Sequence, residues 1–254
     1  GGGLPSFFPG LFPMSETLTL PMIGVENSDQ ATKAIWDLYS NYDFLKEEYS
    51  EFKVLMLIAM NDSSIGTTDK EIKTVEDLKG MKIRVNSGPP TDFTIAAGAT
   101  PVSIVIGELY SSLEKGVIDG VITDWNAFNA FKLTDQLNYI LDEHITVNPY
   151  FVLMNKDSFN ALPEDLQIIL EELTMTDEAR AAFAAEFDKV TVKMKEVIEE
   201  QGGKIYTLPD AEREKLKAIA EESNQQWVEK MSAEGYPAQE SMDAAIELLE
   251  KYKQ

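Results

Sequence analysis

Residues 81–125 read MKIRVNSGPPTDFTIAAGATPVSIVIGELYSSLEKGVIDGVITDW. The apolar spacing predicts a strand at MKIRV, a helix near 90–97, a strand at TPVSI, a helix at GELYSSLEKG and a strand at GVITDW. Short strands joined by helices make right-handed crossovers, so the stretch predicts a doubly wound α/β sheet. Within MKIRV, Met81, Ile83 and Val85 share one face, and Lys82 and Arg84 the other. A guanidinium in the middle of an apolar strand has two ordinary fates. It pairs with a nearby acid, or it faces a cleft and offers its planar fork of donors to a carboxylate.

Toward the N-terminus, residues 1–14 are rich in Gly, Pro and Phe and should be irregular. Ser28 is placed to cap a helix running to about Ser50, with Ala31, Ile35, Trp36, Leu38, Tyr39 and Tyr42 on its buried stripe. KVLMLIAM (53–60) reads as a buried strand, NDSSIGTT (61–68) as the loop that leaves it, and VEDLKG (75–80) as a short helix closed by Gly80. Toward the C-terminus, LNYILD and YFVLMN read as two strands. The run from Pro163 to Gln201 is periodic throughout and ends at Gly202-Gly203. Unbroken it would be about 58 Å long, so it is expected to kink or to serve two lobes. KIYTL (204–208) adds a strand, and two helices finish the chain. No repeat or low-complexity linker intervenes, so two lobes would share the chain discontinuously.

The length, 254 residues, suits one large domain or two smaller lobes. A net charge of −22 repels nucleic-acid phosphates and anionic membrane surfaces. It does not exclude a small anion, because one buried cation outweighs distant, screened surface acids locally. The absence of cysteine removes disulfides, thiol nucleophiles and thiolate metal sites together. The single histidine, His144, rules out a His-pair metal centre and stands beside no nucleophile motif, so a structural or surface role is expected. No glycine-rich phosphate cradle occurs and no carboxylate pair stands out by spacing. Nothing argues for catalysis, and no cofactor or metal is expected.

Ligands of open α/β sheets bind beyond the carboxyl ends of the strands. Three segments leave such ends: NDSSIG, NSGPPTDF and TDWNAF. They bring forward Arg84, Ser87, Ser64, Thr123, Asp124 and Trp125. Arg84 would hold a carboxylate, the hydroxyls would complete its hydrogen bonds, and Trp125 would stack on the ligand body. The plainer alternatives stay open: an ion pair for Arg84, core packing for Trp125, strand-end bonding for Ser64 and Thr123, and a cap on the helix NAFNAF for Asp124.

LKGMKIRVNSGPPTDF, then GATPVSI, ELYSSLEKGVIDGVITDW and FVLMNKDSFNALPEDLQ, follow one another in an order and spacing that resemble the solute-binding proteins of TRAP transporters, the DctP type, across roughly residues 1–205. The resemblance implies a periplasmic-binding-protein-like α/β fold: two lobes, a hinge and a long helix spanning both. The lobes would take residues 1–80 plus 173–201, and 81–172 plus 202–254. It implies a periplasmic protein, its signal peptide removed, that closes on a small organic acid and passes it to TRAP membrane subunits without chemistry. Arg84 then becomes the carboxylate anchor, Ser87 and Thr123 line the cleft, and Phe8 joins Trp125 on the ligand body.

Two departures from the family pattern carry expectations. Ser64 stands where sialate-binding members usually carry a second arginine, which favours a smaller or more apolar monocarboxylate. Family members also begin with strand–helix units ahead of the equivalent of SFFPGLFP, so the first lobe is expected to be incomplete. VLMLIAM would then expose an edge and apolar surface, inviting self-association or a rearrangement that covers the edge. The competing expectation is a remodelled paralogue that serves as an interaction or structural protein and binds no solute.

Overall fold

The computed structural model describes residues 1–253. Its strands are β1 (Gly2–Gly3), β2 (Phe52–Thr67), β3 (Lys82–Arg84), β4 (Thr100–Val102), β5 (Gly120–Asp124), β6 (Tyr139–Asn155) and β7 (Lys204–Tyr206). The helices are α1 (Ser28–Asn41), α2 (Asp43–Glu48), α3 (Pro89–Ala96), α4 (Leu109–Glu114), α5 (Trp125–Ala130) and α6 (Lys156–Asn160), followed by α7 (Glu164–Thr174), α8 (Asp177–Glu200), α9 (Asp210–Ala233) and α10 (Ala238–Lys251).

Residues 81–125 fold as their spacing predicts, with β3 parallel to both β4 and β5. The surroundings differ. NDSSIGT is not a loop but the second half of β2, because it finds β5 on one side and β6 on the other. Pairing on both sides outweighs the turn preference of Asn, Asp and Ser. LNYILD and YFVLMN likewise belong to one strand, β6, which runs antiparallel to β2 along its whole length. The result is a mixed sheet in the order β1-β6-β2-β5-β3-β4, with β7 beside β6.

Helix boundaries moved for local reasons. Asn27 caps α1 by accepting the Gln30 N–H at 2.9 Å, while the Ser28 hydroxyl goes to the Ala59 carbonyl. The expected long helix breaks at Met175–Thr176, where Thr176 caps α8 and Asp177 and Glu178 begin its first turn.

Three apolar cores cover the sheet. In the first, Leu57, Ala59, Val147 and Phe151 pack with Ala31 and Ile35 of α1 and with Trp227, Ala245 and Leu249 of α9 and α10. In the second, Ile65, Ile83, Ile122 and Leu141 pack with Phe93 of α3 and Leu216 of α9. In the third, Val121, Ile140, Trp125 and Phe128 pack with Met194 and Ile198 of α8. Between the first core and the other two lies a polar belt. It holds Asn61 to Ser64 on β2 and Asp142 to His144 on β6, and the pairing register slips there, between Ala59 and Asp62 and between Ser63 and Ile65.

VLMLIAM is not an exposed surface. Residues 54–59 are at most 8% exposed, lie under α1, and are tied to it by Thr32, whose hydroxyl accepts the Ala59 N–H at 3.0 Å. The apolar patch expected to drive self-association is therefore covered.

Two half-buried acids, Glu16 and Glu48, flank the first core. Glu48 accepts from the Met14 and Ser15 N–H groups at 2.6 and 2.9 Å and from the Ser15 hydroxyl. Burial still outweighs those donors and pushes its carboxyl up to about 7. Glu16 is also raised to about 7, by burial against the opposing pull of Lys230. An acid raised in the folded state binds its proton more tightly there than in the unfolded chain. Its stabilising contribution is complete below the unfolded value near 4.5 and is lost as pH rises through about 7. Urea unfolding should therefore show stability falling by about 2 kcal/mol for each of the two acids from pH 5 to 7.5, and Glu48→Gln should remove about half of that slope. Stability that climbs across this window would contradict the assignment.

Candidate functional site

Arg84 closes β3 and stands in register with Val121 of β5 and Val102 of β4. Two residues further on the same face of β5 comes Thr123, paired with Ser64 of β2. The Ser64 hydroxyl donates to Asp142 Oδ1 of β6 at 3.0 Å. Arg84, Thr123, Ser64 and Asp142 thus cross one face of four adjacent strands. Helix α8 covers that face: Lys195 Nζ reaches Asp142 Oδ2 at 2.5 Å and lies 5.1 Å from the centre of the Trp125 ring.

The guanidinium of Arg84 is the unusual element. The residue is 4% exposed, and its Nε donates to the Ile104 carbonyl at 3.2 Å. Nη1 is buried with no partner. Burial pulls the pKa of Arg84 down, opposed by the charge of Asp124. Asp124 itself is buried and caps α5, accepting the Ala127 N–H at 3.0 Å. Burial pushes its carboxyl up against the donors of that first turn and against Arg84. Buried polar atoms are nearly always paired, and leaving one unpaired costs about 1–3 kcal/mol. Ser63 Oγ, Asn61 Oδ1 and Trp125 Nε1 are buried without partners as well, all at the same end of β2 and β5. Arg84 Nη1 and Trp125 Nε1 are donors that lack an acceptor, whereas Asn61 Oδ1 lacks a donor.

The other expected residues divide. Trp125 is fully buried and stacked on Phe128, ring centres 5.2 Å apart, so it packs in the third core rather than against a ligand. The Ser87 hydroxyl donates to the Ser6 carbonyl at 2.5 Å, tying the N-terminal segment to the turn after β3. Asn86 adds a second tie, donating to Asn148 Oδ1 at 3.0 Å. Phe8 is 45% exposed and packs on Phe12 and Phe151 beside an apolar cavity of about 330 Å³, apart from the Arg84 group.

The polar belt holds a second constellation that the sequence pass did not single out. His144 has a φ of 48°, a left-handed conformation in the bulge of β6, and its Nδ1 lies 2.9 Å from Asp62 Oδ2. Ligand atoms of Asp62, Asp142 and His144 fall within 4.8 Å of one another, a spacing a divalent ion could bridge. Lys195 already places its ammonium on Asp142 and supplies the positive charge there. The available signal was the run DEH, residues 142–144, beside the strand LNYILD.

The chain matches the profile of the DctP family, described as bacterial extracellular solute-binding protein, family 7, over residues 4–231. It belongs to that family. Among curated relatives it is 29% identical over 160 residues to a solute-binding protein of Albidiferax ferrireducens, covering 61% of this chain and 46% of the relative. It is 27% identical over 164 residues to the 2,3-diketo-L-gulonate-binding periplasmic protein YiaO of Escherichia coli, covering 63% and 49%. The chain thus spans about half the length of these first curated relatives. In structure it resembles a Rhodoferax ferrireducens TRAP solute-binding protein with copurified benzoate, at 25% identity and a TM-score of 0.90, covering 99% of this chain and 78% of that one. A marine metagenome TRAP solute-binding protein specific for aromatic acids shares the fold at 23% identity and a TM-score of 0.93, covering 100% and 80%. DctP-family proteins are binding proteins by description, and no helix of the described residues is long and apolar enough to cross a membrane.

His144, the only histidine, reports on the belt directly. The hydrogen bond to Asp62 raises its pKa, against burial. A proton NMR titration should place it above the ordinary value near 6.5, and Asp62→Asn should bring it down. A midpoint that Asp62→Asn leaves in place would assign the shift to another group.

Proposed function

We propose that this protein is an extracytoplasmic binding protein that captures a small organic acid on Arg84 and delivers it to the membrane subunits of a TRAP transporter. The observation that carries this reading is the buried Arg84 Nη1 with no partner, a charge-assisted donor for a carboxylate oxygen. Thr123 shares its face of the sheet and would complete the acid's hydrogen bonds, while Ser64, beside it, spends its hydroxyl proton on Asp142 and would shape the site through that bond. Ser87 would act through the turn after β3, and Asp124 would orient the guanidinium through its charge. Benzoate in the Rhodoferax relative supports the same ligand chemistry.

Closure would occur between two packing units, one built on the first core and one on the second and third, with the bulged polar belt as hinge. This division keeps the two-lobe scheme but draws its boundary through the belt and places α10 with α1. Arg84 is too buried to receive a ligand from solvent in the arrangement described, so entry requires the units to part.

Thermal melts against mono- and dicarboxylates test the proposal. A ligand at about 100 times Kd adds about 2.7 kcal/mol of stability, so a binder shows a clear rise in Tm. Arg84→Ala should abolish the rise while circular dichroism shows an intact fold. A Tm insensitive to every acid would favour the remodelled, non-binding protein instead.

A further inference from the structure

The charges on the Arg84 face narrow the class of acid. Along the face from β3 to β6, the cation that α8 contributes is Lys195, and it is already neutralised by Asp142 at 2.5 Å. Asp142 is held in turn by the Ser64 hydroxyl at 3.0 Å, so displacing it would break two interactions at once. The neighbouring belt offers no substitute. His144 is engaged by Asp62, and Lys189 by Glu186. The cavity of about 610 Å³ that opens on the belt is also lined by Asp188, Asp29 and Glu26. Arg84, in contrast, has a buried nitrogen with no partner. A first carboxylate therefore meets an available donor. A second one would meet compensated cations and further carboxylates, and would lose its hydration without recompense.

We infer that the site takes acids with one carboxylate and an uncharged remainder, and that the Asp142–Lys195 pair is the element that turns a second carboxylate away. This rests on the role proposed above for Arg84. It goes further by assigning specificity to two residues that lie outside the β3 and β5 ends where the ligand carboxylate would sit.

The test is calorimetric titration of the full chain with two probe pairs of matched carbon skeleton: 4-methylbenzoate against terephthalate, and butyrate against succinate. The wild type should bind each monocarboxylate at least tenfold more tightly than its partner. Asp142→Asn releases Lys195 and should raise the dicarboxylate-to-monocarboxylate affinity ratio tenfold or more. The double variant Asp142→Asn with Lys195→Gln should return the ratio toward the wild-type value, which separates a freed ammonium from a general loosening of the belt. A wild type that prefers the dicarboxylate, or an Asp142→Asn ratio that does not move, overturns the inference while leaving Arg84 as anchor intact. If no probe binds, and Arg84→Ala is indistinguishable from wild type, the carboxylate reading itself fails and this inference falls with it.

Discussion

Along the antiparallel pairing of β2 with β6, two strands of 16 and 17 residues, apolar residues give way to polar ones near the middle and return beyond. Each half needs cover, and helices supply it: α1, α10 and the C-terminal part of α9 over one end, α8 and the N-terminal part of α9 over the other. The polar interval cannot join either core. Part of it pairs internally or with α8, through Asp62 with His144, Ser64 with Asp142 and Asp142 with Lys195, while Ser63 Oγ and Asn61 Oδ1 stay without partners. Two of the three register slips fall there, and the third lies between Val54 and Met56. A bulged, hydrogen-bonded belt between two dry cores is also where bending disturbs the least packing.

Much of this was legible from residues 81–125, whose helical and strand periods agree with the folded elements, and Arg84 was legible as an oddity of alternation. What stayed hidden depended on partners distant in sequence. Asn61 to Thr67 carry turn-forming residues and become strand only because β5 and β6 flank them. The break at Thr176 was the converse case: a local cap was present in a run whose periodicity masked it. Trp125 shows the limit of reasoning from position. It follows the strand end where ligands gather, yet its bulk is better buried against Phe128 than left to line a cleft. Lys195 could not be connected to the site from sequence at all, since α8 had first to be laid across the sheet.

A chain of net charge −22 would be an odd receptor for an anion until the scale of screening is considered. Surface acids act through water and salt and fade beyond about 8 Å. Arg84 acts from the interior, where the dielectric response is weak and a single charge governs the local potential. On the closure proposed above, the same burial would set its energetics. With the units together and nothing bound, Arg84 Nη1 stays unpaired at a cost of about 1–3 kcal/mol. With the units apart, water can hydrate it. On the reading of Arg84 as anchor, a carboxylate removes that cost only in the closed arrangement, so it binds the closed state more tightly than the open one. Differential affinity of this kind is what a ligand needs to shift the equilibrium. The donor left without a partner is therefore the physical reason that ligand binding and closure would be coupled.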